Sequence, residues 1–515
     1  MEQTYYRKNL HIGQINSHQT SGERCARQMI QGENPRSESK GFSLALLDLR
    51  PNSNYSFTFY LVNNVRIRGF KKNFLFMLLF LLSVQVSAQE KWTLNNCISY
   101  AINNNLQLQD AGLNEKIAGV NYRQSKWNLL PGISAGADAG LNYGRSVDPN
   151  TNGIVNTSFF NNSYYLGASV DLFRGFMLQN QISYQKFRKA SAENYRLNAT
   201  DDLAFAVMNA FFNVVYYEEL LKIANEQKAL SELNVKKTRA MVTAGLKAQT
   251  DLLEVNANFE KEELFCIQTS NNIASSRISL KKAMNLPADQ PIELSFPAKE
   301  QMAVAEIVTD MPGLFKQHVG WSPYIHQFEN ELQASQKYVN VSRSGYFPSI
   351  RLQASYNTGF YETNKNAEGQ TFAFDSQIKN NRSQFVGASL SIPIFSKNSV
   401  RFDVKRARIA MEQSQTKLEM AKQAVQFEME GNYNELTASW KELQQAGRQL
   451  EADTLAFKAA QKKFDQGMIN AVELYTIKNR MANTTSQVLH SQLTYEIKKR
   501  ILGFYRGERF WEGEE

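Results

Sequence analysis

The chain says the same thing twice. Leu129-Leu130-Pro131-Gly132-Ile133 has a counterpart in Tyr346-Phe347-Pro348-Ser349-Ile350, and Gly167-Ala168-Ser169-Val170 has one in Gly387-Ala388-Ser389-Leu390. Gly245-Leu246 matches Gly467-Met468, and each is followed by an acid–Leu step, Asp251-Leu252 and Glu473-Leu474. Pro131 to Pro348 is 217 residues, Gly167 to Gly387 is 220, and Gly245 to Gly467 is 222. Landmarks at so constant an offset imply two copies of one unit of ~220 residues, which constrains the fold before any other argument. The copies are placed at 89–300 and 301–515.

Proline placement divides each copy. Residues 176–286 and 394–515 contain no proline, while Pro131, Pro149, Pro287, Pro291, Pro297, Pro312, Pro323, Pro348 and Pro393 mark the joints. Proline breaks helix interiors, so the two gaps are where long helices fit. Val207, Ala210, Val214, Tyr217, Leu221 and Ala224 step by three and four, and Leu230, Leu233, Lys237 and Ala240 extend the stripe. That spacing predicts coiled-coil-like packing. A helix over 178–243 would reach ~100 Å at 1.5 Å per residue. A turn at Gly245 and a returning helix give a helical hairpin over about 178–284, and the second copy gives one over about 399–503 with its turn at Gly467.

Ahead of each hairpin the period changes to two. Ile133, Ala135, Ala137, Ala139 and Leu141 alternate with small or polar residues, as do Tyr164, Leu166, Ala168, Val170 and Leu172. Ile350, Leu352, Ala354, Tyr356, Thr358 and Phe360 repeat the pattern, then Val386, Ala388, Leu390, Ile392 and Ile394. Strands are predicted over about 132–143, 163–173, 349–360 and 384–395, with long polar loops at 144–162 and 361–382. About ten alternating residues with aromatic ends fit a transmembrane β-strand. An amphipathic sheet in a soluble domain is the alternative for any one strand. Four strands cannot close a barrel, and an open sheet in lipid leaves unpaired backbone groups costing several kcal/mol each. Chains that enter a membrane this way must pool strands. Two give eight, whose interior is filled; three give twelve, which leaves a passage.

An export signal precedes all this. Phe74–Val84 is apolar, follows Arg66, Arg68, Lys71 and Lys72, and leads to Val86-Ser87-Ala88. That is a signal peptide over 65–88 with cleavage after Ala88, and it is too short to span a bilayer. Residues 1–64 are polar and aperiodic and read as a disordered extension or a misassigned start. Residues 1–88 hold eleven Lys and Arg against five Asp and Glu, so they supply +6 of the +9 formal charge. The exported part is close to neutral and gives no basic face for nucleic acid. Its two cysteines, Cys97 and Cys266, are no disulfide framework.

Nothing in the exported part carries catalysis. None of His318, His326 and His490 pairs with another His or Cys at metal-ligand spacing, His326 near Glu329 and Glu331 reads as a solvated helix face, and no nucleophile elbow, phosphate loop or zinc-protease motif occurs. The acid pairs Asp201-Asp202 and Glu218-Glu219 read as surface. Phe211-Phe212 and Tyr216-Tyr217 read as packing. No enzyme, cofactor or metal is expected.

Taken in order, these segments resemble the TolC outer-membrane efflux family across about 93–505. The resemblance rests on the opening helix Thr93-Leu94 through Asn103-Asn104-Asn105, the joints at Pro131 and Pro348, and Ile392-Pro393-Ile394-Phe395 with its counterpart Val170-Asp171-Leu172-Phe173. It rests also on the hairpin turns Thr243-Ala244-Gly245-Leu246 and Asp465-Gln466-Gly467-Met468. It implies a mainly α protein with membrane β-structure: a homotrimer with twelve strands in outer-membrane lipid, a helical barrel in the periplasm, and an equatorial region from the opening helix, the linker 286–322 and the C-terminal end. It further implies that the tips, Ala244, Gly245, Leu246, Gln466, Gly467 and Met468, meet a periplasmic adaptor (membrane fusion) protein bound to an inner-membrane pump of the RND type. Asp465 is the candidate for a periplasmic gate. The expected function is a passive duct for small molecules. The alternatives are the duct of a type I protein secretion system and a periplasmic coiled-coil protein with no pore. Cargo is not legible in the sequence.

Overall fold

A computed structural model describes residues 92–147, 152–296 and 310–512. The expected signal peptide at 65–88 and the stretch 1–64 lie outside the described residues. Two helices open the fold, α1 (Leu94–Asn104) and α2 (Leu106–Trp127). Asn105 joins them: its side-chain oxygen caps α2 by accepting from the Gln107 and Leu108 amides, and its Nδ2 donates to the Ala283 carbonyl at 3.0 Å. Then come β1 (Gly132–Asn142), the short pair β2 (Arg145–Val147) and β3 (Ile154–Asn156), and β4 (Phe159–Arg174). The first hairpin is α3 (Met177–Thr243) and α4 (Gln249–Met284).

The second half starts with α5 (Met311–Val319) and α6 (Pro323–Arg343), followed by β5 (Ser349–Tyr361), the short α7 (Phe374–Asn380) and β6 (Ser383–Ser391). The second hairpin is α8 (Ser399–Asp465) and α9 (Ala471–Tyr505). Both long helices have 67 residues, about 100 Å each. Both are entered through two successive left-handed residues, Gly175-Phe176 and Lys397-Asn398. Glycine is required at 175, where an added Cβ would lie 2.6 Å from the Ser344 carbonyl oxygen.

β1, β4, β5 and β6 form one antiparallel sheet in that order. α6 lies between α3 and α8, and α9 returns along α8 as α4 returns along α3. The main core sits at the level of α1. There Cys97, Ile98, Phe211, Phe212, Leu280, Met429 and Leu493 pack with Leu286, Ile292, Leu314 and Trp511 from the linker and the C-terminal end. A smaller core near the hairpin tips joins Val255 to Phe457, Phe464, Leu474 and Tyr475. Among the described residues no helix is long and apolar enough to cross a membrane.

Several expectations are corrected. The buried stripe of α3 holds to Val207, Val214 and Ala224, but then runs through Ser231, Asn234 and Thr238, leaving Leu233 exposed. Steps of three and four from Ala224 lead through 227 to 231, 234 and 238, so the continuous period, rather than the leucines, marks the buried face. Asp201 is buried, not surface: it faces Arg509 at 3.4 Å. β6 ends at Ser391 because Pro393 has no N–H to give a ladder. The loop 361–382 is also built rather than merely polar. Buried Gln377 accepts from the Tyr361 amide at 3.0 Å and donates to the Tyr361 and Phe372 carbonyls, while Asn381 donates to the Gly359 carbonyl at 2.8 Å.

Candidate conduit wall and hairpin tips

Cross-strand register decides what the sheet can face. Ile133 pairs with Ala168, Ala168 with Ala354, and Ala354 with Val386. Directly opposed residues share a face, so this row lies on one side of the sheet. The neighbouring rows Ala135–Leu166–Tyr356 and Val170–Leu352–Ala388 lie on the same side. The other side carries Ser134–Gly167–Ser355, Ser169–Gln353–Gly387 and Asp171–Arg351–Ser389. Asp171 accepts from Arg351 Nε at 2.8 Å there. One face is thus mainly aliphatic and the other mainly small and polar, with Tyr165 and Phe385 as large side chains whose rings lie over Gly136 and Gly387. The aliphatic face is uncovered in the single chain: Ile133 is 74% and Val386 76% exposed. An apolar sheet face of this extent is stable only against lipid or another protein surface.

The sheet also has two open edges, β1 and β6. In an antiparallel sheet of four, the edge strands run in opposite directions. A β1 from a second copy can therefore continue the ladder beyond β6, again antiparallel. The Leu172 step interrupts the ladder between Asp171 and Phe173, and such bulges bend a sheet. Tyr346, Phe347, Phe395 and Phe402 are exposed beneath the strands, and Tyr143, Phe372 and Phe374 above them. Aromatic rims at both ends of an apolar band mark a membrane-spanning wall.

At the far end of the helices the two reversals are the same motif. The Gly245 amide donates to the Val242 carbonyl at 3.0 Å and the Leu246 amide to Met241 at 2.8 Å. The Gly467 amide donates to Phe464 at 3.0 Å and the Met468 amide to Lys463 at 2.8 Å. Both are Schellman C-caps, which need a left-handed residue, and the two glycines sit at φ +74° and +75°. Leu246 and Met468 project outward, 76% and 61% exposed. Asn470 starts α9 by accepting from the Glu473 amide at 2.9 Å.

The two hairpins are tied together near these tips. Lys237 Nζ lies 3.2 Å from both oxygens of Asp465, Gln461 donates to Asn234 at 3.3 Å, and Lys247 Nζ sits 3.4 Å above the Phe464 ring. Deeper in, Lys478 is fully buried. Its Nζ donates to the Gln227 carbonyl at 2.7 Å, Ser231 Oγ at 2.6 Å and Glu262 Oε1 at 2.7 Å, joining α9 to α3 and α4. Burial pulls the Lys478 ammonium below its ordinary range, and Glu262 opposes that shift. Asp453 accepts from Thr484 and Arg480 of α9 at 2.8 and 2.7 Å, and the Thr484 hydroxyl leads in holding its carboxyl low. The Lys478 network is a buried tie between the hairpins that sequence reading missed. Its signal is present: Lys478 falls in register with buried Ala471, Leu474 and Tyr475.

At the level of α1 a cavity of about 280 Å³ is lined by Asp201, Asp202, Glu428, His318 and Tyr505. Burial pushes Asp201 up to about 6 against the opposing pull of Arg509. Burial pushes His318 down to about 4, partly offset by its hydrogen bond to the Tyr505 backbone. Among the described residues no cluster of His, Cys, Asp and Glu is disposed to hold a metal.

A wall with a lipid-type face, a polar face and two complementary open edges, carried on helices about 100 Å long, defines an outer-membrane channel subunit. Residues 97–286 and 317–502 match the outer membrane efflux protein family, and the chain belongs to that family. It is 21% identical to the outer membrane protein TolC of Escherichia coli over 412 residues, covering 76% of this chain and 78% of that protein. It is 23% identical to the toluene efflux pump outer membrane protein TtgC of Pseudomonas putida over 420 residues, covering 78% and 81%. Its fold is similar to the crystal structure of the Campylobacter jejuni CmeC outer membrane channel, with a TM-score of 0.71 at 15% identity over 82% of this chain and 87% of that one. The protein is an outer-membrane efflux channel component that extends into the periplasm, and not an enzyme.

Proposed function

We propose that three copies pool their strands into one twelve-stranded barrel. The result is a passive duct for small molecules, served at its hairpin tips by a periplasmic adaptor and, behind it, an inner-membrane pump of the RND type. The observation that carries this reading is the sheet with two open, oppositely directed edges and one polar face, because a closed ring of such sheets gives a polar lumen inside an apolar shell. The adaptor surface is assigned to Ala244, Gly245, Leu246, Gln466, Gly467 and Met468. These tips are farthest from the membrane and present exposed apolar side chains on rigid turns. Asp465, paired with Lys237 between the hairpins, is assigned to the periplasmic gate. The duct supplies a path and no driving force, so cargo choice belongs to the pump.

The test is a deletion strain complemented with Leu246→Asp/Met468→Asp. Charged tips should leave assembly and conductance in planar bilayers intact, yet return cells to the drug and solvent sensitivity of the deletion. Full complementation would remove the tips from the adaptor surface. A deletion that loses a secreted protein and gains no drug sensitivity would favour a secretion duct instead.

A further inference from the structure

Just beneath the strands lies a second polar feature that the duct does not use. α8 begins with Arg401, Lys405 and Arg408 at spacings of four and three, so all three share one face of the helix. Arg343, at the end of α6, joins them around a groove of about 800 Å³ whose rim includes Tyr346 and Phe402. No carboxylate lines this groove, and none of the four cations makes a hydrogen bond or ion pair among the described residues. Arg401 lies in the first turn of α8, at the positive end of the macrodipole with no acid in that turn, and three like charges on one helix face are unfavourable unless an anion is present.

Which side of the wall the groove faces follows from α8. Val400, Asp403, Ala407 and Ala410 line a different cavity, shared with Ser349 and Ser391 from the polar face of the sheet. At 100° per residue, those positions lie on the opposite side of α8 from Arg401, Lys405 and Arg408. The basic groove is therefore on the side of the aliphatic sheet face, toward lipid. It adjoins the periplasmic ends of β5 and β6, where exposed Tyr346, Phe347 and Phe402 form the lower aromatic rim. From residue 401 to 408 the helix rises about 10 Å, somewhat more than the ~5–8 Å headgroup zone on one side of a bilayer, a difference that long Arg and Lys side chains span.

We propose that this groove binds the phosphodiester headgroup of an anionic glycerophospholipid in the periplasmic leaflet, one per chain, and so fixes the depth of the barrel in the membrane. Arginine forks match phosphate oxygens bidentately, and Lys405 adds a point charge. The rim aromatics seat at the headgroup level, and the acyl chains continue upward along the aliphatic strand face. The site rests on the barrel reading for its membrane side, but its readout is lipid binding and not transport.

The experiment uses the delipidated protein in detergent. It is titrated with phosphatidylglycerol or phosphatidylcholine while bound lipids are counted by native mass spectrometry. Phosphatidylglycerol should occupy about one site per chain at well below the concentration needed for phosphatidylcholine. Arg401→Gln/Lys405→Gln/Arg408→Gln should weaken that binding by roughly 100-fold at low salt, since each cation at an anionic lipid surface contributes about fivefold. Arg401→Lys/Arg408→Lys should keep the preference for the anionic lipid. Arg406→Gln, on the other side of α8, should leave it unchanged. Unaltered planar-bilayer conductance of the triple variant shows that the barrel has formed, which separates loss of this site from failure of the duct. Equal binding of the two lipids, or a triple variant that binds as the parent does, overturns the proposal. Displacement of the lipid by soluble glycerophosphate at equal concentration would also overturn it, because the site would then recognise a free anion.

Discussion

Asp201 and His318 line one cavity and carry opposite pH dependences. The folded state holds the Asp201 proton up to about 6, against 3.8 for the free group, so its contribution to stability falls as pH rises from about 4 to 6. His318 is kept neutral down to about 4, against 6.5 for the free group, so the unfolded chain takes that proton first and stability falls as pH drops from 6.5 to 4. Each shift is worth up to about 3 kcal/mol. Because they oppose each other, the summed effect of this pair on the denaturant midpoint should be small between pH 4 and 6.5, with Asp202 in the same cavity, also pushed up by burial, adding to the Asp201 direction. Asp201→Asn should leave a midpoint that climbs with pH across that window, and His318→Gln one that declines. Slopes of the same sign in both variants would dismiss the account. Sequence alone read Asp201-Asp202 as surface, since adjacent acids are usually solvated. What buries Asp201 is Phe205 with the linker and the C-terminal residues Arg509 and Trp511, about three hundred positions further on. Long-range packing of that kind has no local signature.

Elements were more legible than contacts. Each proline-free run, 176–286 and 394–515, holds one helical hairpin with its turn at a glycine, because proline and glycine act locally on the backbone. Which face of a helix is buried depends on its partners, and there the leucines of α3 misled. The ties between hairpins differ in kind accordingly. Lys478 and Glu262 are desolvated together, so Lys478→Ala should leave Glu262 unpaired and cost about 3–5 kcal/mol. Lys237 and Asp465 are solvent-accessible, and an exposed pair is worth about 1 kcal/mol or less. A weak, accessible tie suits a contact that must release, and a strong buried one suits a contact that must hold. Asp465→Asn should therefore leave the unfolding midpoint nearly unchanged while raising single-channel conductance through a loosened tip. Unchanged conductance would withdraw Asp465 from the gate.

For the whole molecule the deciding quantity is the number of strands that close the ring. With strands ~4.8 Å apart and tilted by ~40°, eight strands give a backbone radius of roughly 8 Å and twelve give roughly 12 Å. Inward side chains reach about 5 Å, so eight strands leave only about 6 Å, which larger side chains fill, and twelve leave a passage of about 14 Å. The side chains on the polar face favour the wider ring: Ser, Gly, Gln and Asn predominate, the rings of Tyr165 and Phe385 lie over Gly136 and Gly387, and an Asp171–Arg351 pair lies along the wall instead of plugging the centre. A sealed eight-stranded interior would instead need bulky apolar residues to fill it. Two copies would moreover give only four helices of 67 residues and four returning helices, too few to enclose a tunnel continuous with the barrel. The detergent-solubilised protein should therefore have the mass of three chains and migrate as a heat-labile oligomer. Its conductance should respond to charge placed on the polar face, with Ser355→Asp shifting selectivity toward cations and Ala354→Asp, one residue away on the aliphatic face, blocking membrane assembly. A functional Ala354→Asp channel, or a mass of two chains, would mean that the two faces of the sheet have been assigned the wrong way or that the ring closes differently.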